Sequence, residues 1–166
     1  MTIWRQSSGR FTGYENFYAS GGDIWARTMK LVMDIAALHR FVAQEFPQVA
    51  GDFTIETLES GQMVLRMDIA ARHLRPGGTV SGPAMFALAD VAAYLLILGH
   101  IGPKALAVTT SCSFDFMRKP AADVPLRCDT RLLKLGRALA VVDAFIHSAG
   151  QAGPVARASL TYALPK

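Results

Sequence analysis

Apolar positions recur along the chain with two different periods. Over residues 24–46, IWARTMKLVMDIAALHRFVAQEF, the positions Ile24, Met29, Val32, Met33, Ala36, Ala37, Phe41 and Val42 fall near helical spacing and Pro47 ends the run. The spacing predicts an amphipathic helix. DFTIETLESGQMVLRMDIA (52–70) alternates with a period near two on both sides of ESGQ. It predicts a hairpin turned at Ser60 and Gly61. The loop RHLRPGGT (72–79) leads into PAMFALADVAAYLLILG (83–99), a long apolar helix closed by Gly99 or Gly102 with Pro103 beyond. Four strands are expected after it, within 105–119, 125–136, 137–150 and 153–164, with a glycine turn at Gly136.

The order helix, two strands, long helix, four strands has a physical consequence. A helix apolar nearly all round must be covered on every side, and an antiparallel sheet wrapped around it does this. The fold class is therefore α+β. A sheet with exposed edges is satisfied economically by pairing with a second copy. Residues 1–22 mix Gly, Ser, Arg and aromatics without a period and are expected to be a flexible arm. Residues 23–49 then form a helical extension, and 50–166 the main domain.

Composition narrows the function classes. Half the residues are hydrophobic, enough for a core without metals or cross-links. The net charge of +4 is carried by the segment 118–137, where Arg118, Lys119, Arg127, Arg131, Lys134 and Arg137 face only Asp123 and Asp129. Such a patch suits a phosphorylated ligand. Aromatics are not interleaved in it, so base stacking lacks its usual residues and nucleic acid is not expected as a partner. Cys112 and Cys128 are the only cysteines and the first residues lack an apolar signal core, which predicts a reducing, cytoplasmic setting. The apolar run 83–99 is short for a membrane span and is broken by Asp90, so a buried helix and no membrane are expected. No His or Cys spacing calls for a metal. His73 reads as a surface residue, and His39, His100 and His147 show no companions. Cys112 reads as a core or pocket-lining thiol.

Asp90 is the chemical anomaly, the one carboxylate in the most apolar segment, where an unpaired charge is costly. The stretch HLRPGGTVSGPAMFALAD (73–90), with the following VTTSCSFDFMRKP (108–120), is similar to the hotdog-fold acyl-CoA thioesterases of the phenylacetate-degradation (PaaI-like) type. In that family a loop Asn precedes HisGlyGly, and an acid follows eight positions after the first glycine. Gly82 and Asp90 keep this spacing, while Ser81, Pro83 and Arg75 stand where the family has His, the second Gly and Asn.

The resemblance, over roughly residues 50–165, implies a hotdog fold and hydrolysis of an acyl-CoA or aryl-CoA thioester without a separate cofactor. It further implies a homodimer with shared sites, and a homotetramer. Asp90 would be nucleophile or general base, the Gly82 N–H the oxyanion donor, and Thr110 the hydroxyl near the acid. Ser81 is first a helix cap and second a carbonyl contact. Arg75 would meet the carbonyl or a phosphate. Phe86 and Tyr94, with Ala87 and Ala93, would line the acyl pocket, and Arg118, Lys119, Lys134 and Arg137 would meet the phosphates of coenzyme A. Because Ser81 replaces the family His, an acyl-CoA-binding or sensing domain with weak catalysis is the alternative. A hotdog dehydratase is less well served, since no His lies between His73 and His100.

Independently of the family, eight residues of helix separate Gly82 from Asp90 by about 12 Å. They cannot touch one carbonyl within one chain. If both serve one reaction, Asp90 meets the helix start of a second subunit across a twofold axis.

Overall fold

A computed structural model describes residues 29–166. The expected arm, 1–22, lies outside the described residues, as does the stretch 24–28 of the first expected helix. The helix α1 spans Ile35–Glu45, later than the periodicity indicates. Asp34 caps it by accepting from the Ala37 N–H at 2.7 Å, which fixes the start. The preceding residues have another task. The N–H groups of Val32 and Met33 both donate to the Gly99 carbonyl, at 2.8 and 3.2 Å, an oxygen in the last helical turn that has no partner inside its own helix. Leu31 packs where a side chain at residue 99 would begin, 3.4 Å from that Cβ position. Gly99 is therefore a site of close approach, and the long helix runs past it.

That helix, α2, covers Gly82–Ile101 and ends at Gly102, with φ +86°. By length and apolarity alone it would qualify as a membrane span. It is instead wrapped by a six-stranded antiparallel sheet. The strands are β1 (Phe53–Glu59), β2 (Gln62–Met67), β5 (Val108–Phe116), β6 (Leu126–Leu135), β7 (Leu139–Ser148) and β8 (Ala156–Ala163), and they lie side by side in the order β1-β2-β6-β7-β8-β5. A short hairpin, β3 (Leu74–Arg75) with β4 (Thr79–Val80), stands just before α2. The sequence pattern had shown it only as a loop. Gly77 and Gly78, at φ +93° and +69°, make its turn.

Alternation along the strands sends one face onto α2. Leu126, Cys128 and Leu132 of β6 and Ala140, Val142, Ala144 and Ile146 of β7 are buried with Leu88, Ala92, Leu95 and Leu96 of α2. Ala140 and Ala144 are small and leave room for the helix, and Met63, Leu65 and Met67 of β2 are buried in the same core. This is the hotdog arrangement, an antiparallel sheet around a long central helix.

Three histidines depart from expectation. His73 is buried, its Nδ1 accepting from the Ala70 N–H at 3.0 Å and its Nε2 lying 3.5 Å from Asp52. His100 is also buried, with Nδ1 bonded to the Leu96 carbonyl at 2.9 Å and Nε2 accepting from the Gly61 N–H at 3.1 Å. Each ties a loop to the core. His147 has a companion as well, Asp129 at 3.3 Å.

Candidate active site

Ser81 caps α2, its Oγ accepting from the Ala84 N–H at 3.2 Å. The cap sets the helix start, and Pro83 within the first turn gives up only an N–H that had no helical partner. The first-turn N–H groups, Gly82's among them, make this end a site of partial positive charge. Around it lies a cavity of about 370 Å³, lined by Arg75, Gly82, Met85, Phe116, Arg118 and Lys119 among others. Arg75 Nε donates to Thr79 Oγ1 at 2.8 Å across the β3–β4 hairpin. Arg118 donates to the Pro154 carbonyl at 2.6 Å. The Phe116 ring covers Gly82 so closely that a Cβ there would stand 3.2 Å from it.

Asp90 lies two helical turns further on, in a separate cavity of about 350 Å³. Its carboxylate has two donors. Thr109 Oγ1 and the Tyr162 hydroxyl each reach Oδ1 at 2.6 Å, and the same hydroxyl reaches the Asp90 carbonyl at 2.8 Å. This answers the charge in the apolar helix, since a carboxylate accepting short hydrogen bonds is compensated as an unpaired one is not. Among the described residues no hydrogen bond ends on Oδ2. Burial pushes the Tyr162 phenol far above its ordinary range, and the Asp90 charge adds to this. Tyr162 therefore remains a donor at any working pH.

The sequence-predicted residues divide on this geometry. Tyr94 lines the Asp90 cavity and donates to the Ala105 carbonyl at 3.1 Å. Phe86 does not line it. Phe86 is partly exposed and packs on Phe114, with ring centroids 5.9 Å apart. Ala87 and Ala93 are also absent from that lining. Thr110 is not the hydroxyl on the acid of its own subunit: it is exposed and donates to the Thr161 carbonyl at 3.1 Å. The cause is a bulge in β5, where pairing with β8 jumps between Thr109 and Ser111. The extra residue makes the phase of the strand unreadable from alternation alone. Arg118 and Lys119 stand at the Gly82 cavity. Lys134 and Arg137 sit at the β6–β7 turn and line neither cavity. Burial raises the Cys112 thiol, with Asp90 adding to the shift, which keeps it protonated and a poor nucleophile.

Tyr162 escaped the sequence reading. A signal existed, because alternation along SLTYAL puts Tyr162 on the same face as Leu160 and Ala158, and a buried tyrosine hydroxyl needs a partner. What that partner is depends on a contact spanning 72 residues.

Comparison with known proteins agrees with this architecture. The Thioesterase superfamily profile matches residues 77–155. A crystal structure from Silicibacter sp. TM1040 with a provisional thioesterase assignment is 52% identical, covers 83% of this chain and 96% of its own, and superposes with a TM-score of 0.78. A single-substitution variant of the phenylacetic acid degradation protein PaaI from Thermus thermophilus is 28% identical over 72% of this chain and 99% of its own, at 0.63. A Streptococcus mutans protein solved bound to acetyl CoA shares the fold at 24% identity, over 69% of this chain and 89% of its own, at 0.61. Curated proteins gave no match. The matched segment carries Gly82, Asp90 and Thr109, and the more identical relative spans nearly its whole length; the chain thus belongs to the thioesterase superfamily, as a PaaI-like hotdog thioester hydrolase.

Proposed function

We infer that the protein hydrolyses an acyl-CoA thioester in a site shared between two subunits, with Asp90 of one facing the α2 start of the other. One observation carries this reading. β5 is an edge strand of the sheet, and its two ends touch the two half-sites: Thr109 bonds Asp90 at one end, and Phe116 covers Gly82 at the other. Antiparallel pairing of β5 with its copy about Cys112, the middle of the strand, sets Thr109 of one subunit opposite residue 115 of the other, beside Phe116. Asp90 then comes next to Gly82 of the partner subunit. The edge is suited to being covered, with Val108 53% and Phe116 56% exposed.

The chemistry follows from the two ends. Asp90 attacks the thioester carbonyl or takes a proton from the water that does, with Oδ1 held by Thr109 and Tyr162 and Oδ2 available. The carbonyl oxygen gains charge and accepts from the Gly82 N–H of the partner subunit, backed by the helix N-terminus. When water attacks, the proton taken by Asp90 passes to the departing thiolate as the carbon–sulfur bond breaks; when Asp90 attacks, the mixed anhydride it forms is then hydrolysed by water, which also supplies the thiolate's proton, and either route yields the free acid and the thiol of coenzyme A. Arg75, Arg118 and Lys119 surround the same helix start and offer cations to the phosphates. The fold accommodates such a ligand in the S. mutans protein. Ser81 Oγ accepts the Ala84 N–H as the helix cap, which leaves its own O–H proton to meet the carbonyl where the family has His.

The test is release of free thiol from a panel of acyl- and aryl-CoA esters by purified protein, alongside sedimentation. Turnover by a dimer or tetramer is expected. A monomer at micromolar concentration that still turns over would overturn the shared site, and tight binding without turnover would favour the sensing role.

A further inference from the structure

α1 supplies neither the carboxylate nor the oxyanion donor, yet its last turn reaches the Asp90 half-site. Glu45 and Phe46 stand in the lining of the Asp90 cavity, with Val91, Tyr94, Ala105, Ala107, Val108, Thr109 and Tyr162. The helix is held there by an aromatic chain: Phe41 of α1 lies 6.4 Å from Tyr94, and Tyr94 stacks 6.4 Å from Tyr162, the donor to Asp90. Pro47 follows at once, so the position of Glu45 is set by the end of a capped and stopped helix. Its charge is felt inside, since the Tyr94 phenol is raised by burial first and by Glu45 second.

With the carbonyl held between Asp90 and the partner's helix start, and the cationic Gly82 cavity taking the coenzyme, the acyl group extends into the Asp90 cavity. That cavity is walled by aromatic and aliphatic side chains and carries two carboxylates. Among its described lining residues there is no cation. Lys104 precedes the lining residue Ala105 in sequence but is not itself part of the lining.

We propose that Glu45, placed by the end of α1, is a specificity residue that selects neutral acyl groups and rejects acyl groups bearing a second carboxylate. This rests on the shared-site reading for the direction of the substrate. A carboxylate at the far end of the acyl chain meets Glu45 as a like charge, with no cation among the described lining residues of that cavity to neutralise it, whereas a methyl end meets Phe46 and Tyr94. Discrimination by repulsion requires no contact with the preferred substrate. Glu45 is solvent-exposed, so the effect is screened and moderate in size.

Two six-carbon thioether analogues that cannot be hydrolysed, S-hexyl-CoA and S-(5-carboxypentyl)-CoA, are titrated calorimetrically into the full-length protein, its Glu45→Gln variant and its Glu45→Lys variant. The readout is the ratio of the two dissociation constants. Wild type is expected to favour the hexyl analogue by about tenfold, Glu45→Gln by roughly threefold, and Glu45→Lys to abolish or reverse the preference. A ratio that is the same in all three proteins overturns the proposal, as does a wild type without preference or without binding. Binding is independent of turnover. Failed hydrolysis with a shifting ratio would remove the thioesterase reading alone, and hydrolysis with a fixed ratio would remove this inference alone.

Discussion

Thr109 Oγ1 stands 2.6 Å from Asp90 Oδ1, and this bond joins the central helix to the free edge of the sheet. It gives the carboxylate a fixed orientation and places it at one end of the strand whose other end covers Gly82. In the proposed shared site, the orientation of the carboxylate and the pairing of subunits therefore rest on one element.

Asp90→Asn keeps the size of the side chain and removes its capacity to accept a proton or attack. kcat is expected to fall by about 10²–10⁴-fold with the fold retained by circular dichroism. Unchanged turnover would remove Asp90 from the reaction.

The two adjacent threonines separate orientation from bystander effects. Thr109→Val removes a donor to a carboxylate and is expected to lower kcat by roughly tenfold or more, since such bonds contribute about 1.5–3 kcal/mol. Thr110→Val removes an exposed bond to a backbone carbonyl and is expected to cost much less. Steady-state kinetics of the pair reverses the assignment if the larger loss falls on Thr110.

Tyr162→Phe deletes the hydroxyl that reaches both the carboxylate and the carbonyl of Asp90. The half-buried carboxylate keeps Thr109 alone. A loss of about 1.5–3 kcal/mol in urea unfolding is expected, together with a fall in kcat.

Gly82→Pro removes one N–H at the first helical position, where proline fits after the extended Ser81, at ψ 153°, but is strained by standing before Pro83, so retention of the fold is checked by circular dichroism. The Phe116 ring must shift slightly to admit it. Alone, this variant and Asp90→Asn are both expected to be inactive. Mixed and reassembled in equal amounts, half the dimers are hybrids with one intact site, so about a quarter of wild-type activity returns. No recovery after verified subunit exchange would overturn the shared site.

His100 gives a pH dependence with a definite sign. Burial lowers its pKa below the ordinary 6.5, although its bond to the Leu96 carbonyl opposes this. Between the lowered value and 6.5 the unfolded chain binds more protons than the folded one, so stability rises with pH in that window. The contribution is complete above pH 6.5 and is lost as pH falls through the lowered value. Protonation also ends acceptance from the Gly61 N–H. Urea midpoints measured from about pH 8 to about pH 5 should fall less steeply for His100→Gln than for wild type.

How far these features could be read in advance depends on how local their causes are. The β1–β2 hairpin with its turn at Ser60 and Gly61, the long helix and the four later strands follow from period and punctuation, which act within a few residues. The cap at Ser81 follows from one hydroxyl and one N–H three residues away. α1 begins later than its period indicates because Asp34 and the distant Gly99 carbonyl claim the preceding backbone.

The site divides along the same line. The sequence by itself determined that one carboxylate sits eight residues into an apolar helix opened by Ser-Gly-Pro, and hence that its own helix start is out of reach. Only the tertiary structure decided which groups satisfy that carboxylate, because a bulge exchanged Thr110 for Thr109 and a strand 72 residues away supplied Tyr162. It also brought Glu45 from a separate helix to the wall of the same cavity. Spacing along an element is fixed by backbone geometry, whereas partners across elements are chosen by packing that buries many side chains at once.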